Sequence, residues 1–467
     1  MPAAAQEPWA ILAAIPEVAM DKEAAKRAFP PGVDASIAFD EPPRPSVLTV
    51  TPEISLPACL GCYPYVAAAD RSGLLLLCGS HPMGTDCLKI SHHVCDAVTG
   101  EVVTLPYPPR NMAFYGANIG LIVKGDAGCM VAALQSARRD GVDTGAAVLL
   151  SYKVGDDRRV WRERGINAGV SPAIPRGWFP EGVVSHGGML WWVDLSNGLL
   201  ACDPFADEPE LLHVPLPTVA DELPADSQVN SGARSCVKVS RGRLRYVRIH
   251  GGLDAPVVSM WMLVVSTWGP AGRWEWIPES SVPFAAVWMD ESYVNTKLPS
   301  SIPAIALIHP MDPDRVFFFL GSSIFAVDLQ LRKVVGFSKF EMLDPPKSTG
   351  RMRSSRFVHA WHYDPSSTRP EFVSACLNQE KVIAAMGSYS GIYRSRRRTY
   401  NKMVKSFWDL VTKQEQEMEQ QRLQLEQQWR QRAMCRDFER RCGISEEIRI
   451  SLPHLSGRNQ NQPSSSK

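Results

Sequence analysis

A strand–turn–strand pattern that recurs between residues 47 and 392 most constrains what this chain can fold into. Its clearest copy places the turn Ser196-Asn-Gly198 between two apolar runs, Gly182–Asp194 and Leu199–Pro204. Asn-Gly between alternating apolar residues is the strongest short-range signal for a β-hairpin. A third short strand, within Glu210–Pro217, ends at a proline. Comparable units follow one another along the chain, each of roughly 45 to 65 residues with three or four short strands.

Repeats of this size are typical of a propeller, in which each four-stranded blade buries its faces against its neighbours. The sequence therefore predicts an all-β fold, a degenerate β-propeller-like body of five or six blades followed by a long C-terminal α-helix. The units share no Gly-His or Trp-Asp signature, so a pair of β-sandwiches remains the structural alternative.

Composition agrees with a β-rich body, because 33 glycines, 37 prolines and 13 tryptophans suit many turns between short strands. The 50 basic and 49 acidic residues leave a formal net charge of +1, which gives no general attraction to nucleic acid or to an anionic membrane. No apolar run reaches the about 18 residues that a membrane helix needs, and the N-terminus lacks the features of a secretory signal. The 11 cysteines are best interpreted as reduced thiols, with disulfides as the alternative. We expect a cytoplasmic or nuclear protein.

Four segments differ in composition. Residues 1–46 read as a leading strand and a Pro-rich linker, and residues 47–392 as the β-propeller-like domain. Residues 394–442 are rich in Gln, Glu and Arg and contain no proline, which predicts one long helix that stops at Gly443. Residues 451–467 form a Ser/Asn/Gln tail that we expect to be disordered.

Within this predicted helix, an apolar stripe marks a candidate interaction surface. It consists of Val404, Phe407, Val411, Met418 and Leu425. Spacing of seven is the period of a coiled coil, but glutamine occupies three of the companion positions. The stripe therefore predicts weak or heterotypic helix pairing rather than a stable homodimer.

The helix begins with a dense basic run. Arg394, Arg396, Arg397 and Arg398 fit a nuclear-import signal. The same residues also fit the exposed start of a helix, where positive charge is slightly unfavourable against the helix dipole. Both interpretations stay open.

Several apolar hairpin segments resemble a plant family that is expanded in grasses and is known only as domain of unknown function 1618 (DUF1618). They are Trp9-Ala-Ile-Leu, Gly73-Leu-Leu-Leu-Leu, Ser151-Tyr-Lys-Val154, Trp191-Trp-Val-Asp-Leu195, Leu199-Leu-Ala-Cys-Asp-Pro204 and Val327-Asp-Leu-Gln-Leu331. The similarity covers residues 8 to 345. The resemblance implies a plant origin and a β-rich, propeller-like body. It supplies no catalytic residues.

Four residues have the spacing of a zinc site. Cys59 and Cys62 form one pair, and Cys78 and His81 form the other. Thiolates and an imidazole at this spacing can close a tetrahedral structural site. Cys78, however, ends the apolar run Leu74–Leu77, which explains it as a core residue of a strand. We therefore expect no tightly bound metal and no cofactor.

Two His-Gly-Gly segments, at His186 and at His250, resemble the backbone-donor loop of some esterases. The Gly-x-Ser-x-Gly nucleophile turn that this chemistry requires is absent from the sequence. Both segments are better explained as hairpin turns in which glycine supplies a positive φ.

Together with the plant origin that the resemblance implies, these observations favour a non-enzymatic protein-interaction scaffold, whose protein partners the sequence does not identify. The alternative is a hydrolase-type enzyme with its site in the central channel of the propeller. A dense cluster of histidine and acidic residues at one mouth of the channel would indicate the enzyme.

Overall fold

The computed structural model of this chain divides into two compact units, residues 1–390 and 391–467. The described residues are 9–19, 29–30, 32–57, 63–82, 88–109, 117–139, 142–156, 158–166, 174–175, 178–219, 231–265, 274–343 and 353–362, with Gln420 and Gln424. The helix predicted over residues 394–442 lies outside them, except for these two glutamines, which are helical and exposed. The basic run and the tail 451–467 also lie outside them.

In the described part of the first unit, five sheets of four antiparallel strands follow one another along the chain. We call them blades 1 to 5, and in each of them consecutive strands are neighbours. Blade 1 contains β5 (Tyr65–Ala69), β6 (Leu74–Pro82), β7 (Leu88–Asp96) and β8 (Val102–Thr104). Blade 2 contains β9 (Ile119–Lys124), β10 (Gly128–Arg139), β11 (Val142–Lys153) and β12 (Arg162–Ile166). Blade 3 contains β13 (Gly182–His186), β14 (Met189–Asp194), β15 (Gly198–Cys202) and β16 (Leu212–Val214).

Blades 4 and 5 complete the series. Blade 4 contains β17 (Ser235–Ser240), β18 (Arg243–Gly252), β19 (Ala255–Val265) and β20 (Trp274–Pro283). Blade 5 contains β21 (Ala304–Ile308), β22 (Arg315–Leu320), β23 (Ser323–Asp328) and β24 (Lys333–Lys339). The described helices are short: α1 (Ser231–Arg234), α2 (Phe284–Trp288) and α3 (Glu291–Val294), with 3-10 turns at Gly125–Ala127 and Ser355–Phe357.

A five-stranded closing sheet joins the two ends of this series. It contains β1 (Trp9–Ala13), β2 (Glu17–Val18), β3 (Ala35–Ala38), β4 (Pro45–Val50) and β25 (Val358–His362). Strand β1 lies between β25, to which it is antiparallel, and β4, to which it is parallel. Residues 1–46, which were expected to form a leading strand and a linker, thus contribute three strands and the start of a fourth to this sheet.

The first strands of the five blades and β25 form a closed ring. Strand β5 contacts β9, and the contacts continue through β13, β17, β21 and β25 back to β5. The fold is therefore an all-β propeller arrangement, as the repeated hairpins predicted. Five regular blades and the closing sheet agree with the predicted number of five or six.

The hydrophobic core consists of clusters that each lie between two neighbouring sheets. One cluster joins blades 2 and 3 through Leu149, Leu190 and Trp192, and another joins blades 4 and 5 through Val247 and Phe318. Strand β22 shows why the sequence allows this: its run Val316–Phe319 is buried along its whole length, because both faces of an inner strand are covered. Burial between sheets makes each blade depend on its neighbours.

The hairpin predictions are confirmed. Strands β14 and β15 pair with Asp194 opposite Gly198, so the turn is formed by residues 195–197 and Gly198 begins β15. Gly187 and Gly188 connect β13 to β14 with φ of 61° and 76°, which a residue with a Cβ rarely adopts. His250-Gly251-Gly252 is the end of β18 in the β18–β19 hairpin. Neither His-Gly-Gly segment is an esterase loop.

Candidate functional site

The central channel contains a cavity in which several polar groups converge among apolar walls. It has a volume of about 450 Å³ and is open to solvent. Strands β5, β13, β17 and β25 supply most of its walls, and the 3-10 turn Ser355–Phe357 supplies Ser355 and Arg356. A concave site with a few polar groups among apolar walls is the usual form of a small-molecule pocket.

Lys238 on β17 places an ammonium group in this channel. Its Nζ donates a hydrogen bond of 2.9 Å to the carbonyl oxygen of Ser355. Burial lowers the pKa of Lys238, and the positive charge of Arg356 adds to this effect. The other group that acts on Lys238 is the Cys236 thiol. Burial raises the pKa of that thiol to about 12, so Cys236 is neutral at pH 7 and does not balance the charge of Lys238.

Arg356 is the second cation of the channel. Its Nε is buried and has no hydrogen-bond partner among the described residues. The backbone around it is fixed, since the Tyr65 hydroxyl donates a hydrogen bond of 2.7 Å to the Arg356 carbonyl oxygen. A buried N–H without an acceptor is rare in proteins and costs about 1–3 kcal/mol.

His359 on β25 lines the same channel as a neutral group. Its Nε2 lies 2.8 Å from the carbonyl oxygen of Val66, so Nε2 carries the proton. Burial, together with the nearby positive charge of Lys238, lowers the pKa of His359 to about 4. The imidazole therefore adds no charge at neutral pH.

Two carboxylates, those of Asp70 and Glu181, also line the channel. The Asp70 side chain accepts a hydrogen bond of 2.9 Å from the backbone N–H of Ser72, so it stabilises its own turn. Burial raises the pKa of Asp70, and Arg71 is the charged group that acts on it. In the described residues, the groups that act on Lys238 include no carboxylate. The channel lining is thus mixed rather than a dense cluster of histidine and acidic residues.

The predicted zinc candidates do not converge where they can be described. Cys78 and His81 both lie on β6, and an odd spacing on a strand directs two side chains to opposite faces of the sheet. Cys78 is buried, and burial raises the pKa of its thiol to about 12, which disfavours the thiolate that zinc requires. Cys59 and Cys62 lie outside the described residues. Among the described residues, no group of three or more His, Cys, Asp or Glu side chains is arranged to hold a metal ion.

His81 instead ends a chain of side-chain hydrogen bonds in blade 1. Ser91 Oγ lies 3.0 Å from His81 Nε2 and 2.7 Å from His93 Nε2. His93 Nδ1 in turn lies 3.0 Å from Thr104 Oγ1. A serine next to a histidine is the arrangement of a nucleophile and its base. Ser91 and His93 are only 3% and 2% exposed, however, and burial lowers the pKa of His93 to about 3. These hydrogen-bonded side chains are therefore closed to a substrate, and His93 is not a base that works at neutral pH.

One recurring feature was missed at the sequence level. The third strand of blades 1, 3 and 5 ends at, or just before, an aspartate whose Oδ1 accepts a backbone N–H two or three residues later. Asp96 accepts from Val98 N at 2.9 Å, Asp203 from Phe205 N at 2.9 Å and Asp328 from Leu331 N at 2.8 Å. The signal in the sequence is an apolar strand followed directly by aspartate. It marks the same turn in three blades.

A comparison with protein-family models gives one match to this chain. Residues 192–317, which extend from β14 to β22, match the family model described as "Protein of unknown function (DUF1618)". The family resemblance is confirmed. The DUF1618 description assigns no activity, and the plant origin implied by the resemblance stays a prediction. No curated protein matches the chain.

Solved structures give distant likenesses. Apo AztD from Citrobacter koseri is 11% identical with a TM-score of 0.27, and 60% of each chain is covered. A thermostable family-43 glycoside hydrolase is 14% identical with a TM-score of 0.27, with 46% of this chain and 77% of that chain covered. The Cps50 (Swd1) β-propeller domain of Myceliophteria thermophila is 12% identical with a TM-score of 0.27, with 58% and 84% covered. This chain spans about three fifths of the length of AztD. None of these likenesses carries an argument about the activity of this chain.

The helices of the described residues were compared with the requirements of a membrane-spanning helix. Among the described helices, none combines the length and the apolar character that a bilayer span needs.

Proposed function

We propose that this DUF1618 chain is a non-enzymatic scaffold that binds other proteins through the outer edge of blade 5. The observation that carries the proposal is the pattern of exposure along strand β24, in which every second side chain is exposed. Among the described strands, β24 pairs with β23 alone, so its other side is a sheet edge. Exposed edges with apolar side chains are sites at which an extended segment of another protein adds a strand.

The exposed face of β24 carries four side chains, those of Lys333, Val335, Phe337 and Lys339. Val335 and Phe337 are 46% and 43% exposed, which is high for large apolar residues. The Ser292 hydroxyl of α3 accepts a hydrogen bond of 2.8 Å from Val334 N, so the helix covers the start of the edge. The available edge therefore begins at Val335.

The charges of β24 indicate the chemistry of its partner. Lys333 and Lys339 flank the two apolar residues, and Arg332 precedes the strand. An extended segment with apolar residues at alternate positions and acidic residues at its ends complements this pattern. The stripe Val404, Phe407, Val411, Met418 and Leu425 is proposed as a second contact surface on sequence grounds, since these residues lie outside the described part.

A hydrolase with its site in the channel is less well supported. The channel groups Lys238, His359 and Tyr65 are each bound to a backbone carbonyl oxygen. Described serines that adjoin a histidine, such as Ser91 beside His93 in blade 1 and Ser259 beside His250 in blade 4, are themselves buried. This arrangement suits binding better than catalysis.

Quantitative co-purification tests the proposal. The tagged full chain is compared with the double variant Val335→Ser and Phe337→Ser, and with a chain truncated after residue 409. A matched control, Val160→Ser and Phe179→Ser, changes the same residue types at positions that are 61% and 51% exposed away from β24. We expect partners recovered with the wild type to fall at least tenfold with the β24 variant and to persist with the control. Equal recovery with the wild type, the β24 variant and the truncated chain would overturn the scaffold proposal.

A further inference from the structure

The central channel, which contains no residue of β24, has positively charged side chains in its lining. Two cations, Lys238 and Arg356, face a cavity of about 450 Å³. They repel each other, because Arg356 is one of the groups that lower the pKa of Lys238. Two like charges held together in a partly buried site are unfavourable unless a counter-charge binds between or beside them.

Asp70 and Glu181 line the same channel, but neither carboxylate is among the described groups that act on Lys238. The ionisable groups that do act on it are Arg356 and the Cys236 thiol, which burial keeps neutral. Asp70 is committed to the turn at Ser72 and to Arg71. His359 is neutral, since burial lowers its pKa to about 4.

Hydrogen-bond donors are also in excess at this place. The Lys238 ammonium uses one of its three N–H groups for the Ser355 carbonyl oxygen. The buried Nε of Arg356 has no acceptor among the described residues. Buried donors of this kind are normally satisfied by protein, water or a ligand, and the acceptor that matches a guanidinium and an ammonium best is an oxyanion.

We propose that the channel binds a small organic anion, with its phosphate or carboxylate group between Lys238 and Arg356. The Ser355 carbonyl oxygen holds the Lys238 ammonium through a hydrogen bond of 2.9 Å, and the Tyr65 hydroxyl holds the backbone of Arg356 through a hydrogen bond of 2.7 Å. The volume of the cavity accommodates a metabolite-sized molecule, because such pockets commonly measure about 300–1,000 Å³. This site does not depend on the scaffold proposal, since no residue of β24 contributes to it.

Titration calorimetry with the full chain tests the site, with inorganic phosphate and malonate as probes and sodium chloride at equal ionic strength as the reference. We expect saturable binding at one site per chain. The affinity should fall at least tenfold in Lys238→Met and in Arg356→Gln and should be unchanged in Arg353→Gln, a control three residues away that does not line the channel. The tighter probe identifies the anion class. Absence of saturable binding by both probes, or wild-type affinity in both channel variants, would overturn the proposal.

A measurement on the wild type alone covers the case in which the variants fail to fold. A lysine with a lowered pKa reacts readily with an acetylating reagent near neutral pH. Phosphate or malonate at saturation should slow the acetylation of Lys238, read by mass spectrometry of peptides. Lys124, which forms an ion pair of 2.6 Å with Asp203 and does not line the channel, is the internal control. Equal acetylation of Lys238 with and without either probe would contradict the site.

Discussion

Lys238 Nζ lies 2.9 Å from the carbonyl oxygen of Ser355, a residue 117 positions further along the chain. The hydrogen bond connects the first strand of blade 4 to the turn that precedes β25. It also holds an ammonium group in a place where burial lowers its pKa. The structure therefore keeps a charge where an apolar side chain would be easier to accommodate.

Replacing this charge should stabilise the protein. Lys238→Met keeps the length of the side chain and removes both the desolvation cost and the repulsion by Arg356. We expect the free energy of unfolding to rise by about 1 kcal/mol, since replacing a poorly compensated buried ion with an apolar residue is often stabilising. Thermal unfolding without added anion measures it. A lower thermal midpoint for Lys238→Met would show that the hydrogen bond to Ser355 outweighs the cost of the charge.

A hydrogen bond between blades 2 and 3 should contribute strongly to stability. The Nε1 of Trp192 donates a bond of 2.8 Å to the carbonyl oxygen of Asn118, and Trp192 is fully buried. Trp192→Phe should lower the free energy of unfolding by roughly 2–4 kcal/mol, because it leaves a cavity and a buried carbonyl oxygen without a donor. Denaturant unfolding measures the difference.

The matched control for that change is Trp276→Phe. The Nε1 of Trp276 donates a comparable bond of 2.9 Å to the Pro215 carbonyl oxygen, but at a solvent-exposed place. Water can replace the lost donor there, so the expected cost is under about 1 kcal/mol. Equal costs for the two variants would contradict the role of burial.

His309 should make the protein less stable in acid. Its Nδ1 accepts hydrogen bonds from the backbone N–H groups of Met311 and Asp312, at 3.1 Å and 3.0 Å, so the folded protein needs the neutral ring. Burial lowers the pKa of His309 to about 4, against about 6.5 in the unfolded chain. The unfolded state therefore binds the proton first as the pH falls. The contribution of His309 to the free energy of unfolding is fully present above about pH 6.5. It is lost between about pH 6.5 and 4, at up to about 1.4 kcal/mol per pH unit.

Asparagine at this position tests the sign. In His309→Asn, the amide oxygen can accept the same backbone N–H groups but does not titrate. Stability measured at pH 7.5 gives the baseline cost of the substitution. The difference between wild type and variant should shrink as the pH is lowered to 5, and a difference that stays constant would exclude His309 as a contributor.

Closure of the ring by β1 should be essential for stability. Leu12 lies in the middle strand of the closing sheet and is fully buried. Leu12→Ala should lower the free energy of unfolding by about 2–5 kcal/mol. Leu253→Ala, at a turn residue that is 61% exposed, should cost less than about 0.5 kcal/mol. Similar thermal midpoints for the two variants would mean that the blades are stable without closure.

The propeller could be predicted from the sequence because its turns contain residue types, such as Asn-Gly and Gly-Gly, that are typical of hairpin turns. Asn197-Gly198 and Gly187-Gly188 lie where the strand direction reverses, and the three glycines have the positive φ that this residue adopts readily. Strands with mixed apolar and aromatic residues, such as β22 and β23, were also predictable from their composition.

Other strands could not be predicted from local pattern. Strand β10 (Gly128–Arg139) is rich in alanine and contains few β-branched residues, so nothing local favours a strand. It forms because β9 and β11 pair with it on both sides. Strand β3 (Ala35–Ala38), in a segment that reads as a linker, likewise depends on its pairing with β4.

The channel site was invisible to motif reasoning for a similar reason. Lys238 and Arg356 belong to no motif and are separated by more than 100 residues, and only the closed ring brings both to one cavity. Cys78 and His81 show the opposite case, since their spacing suggested a metal site while the pleat of β6 directs them apart.

The closing sheet has a consequence for how the protein is made. Ile11 pairs with Ala360, about 350 residues later in the chain. A ribosome that adds about 5–20 residues per second needs roughly 20 to 70 seconds to deliver the partner of β1 after β1 itself has emerged. During this interval, the apolar strand Trp9–Ala13 has no β25 with which to pair, and it is the kind of segment that chaperones bind. The closing sheet can therefore be completed only after β25 has been made and β1 has paired with it.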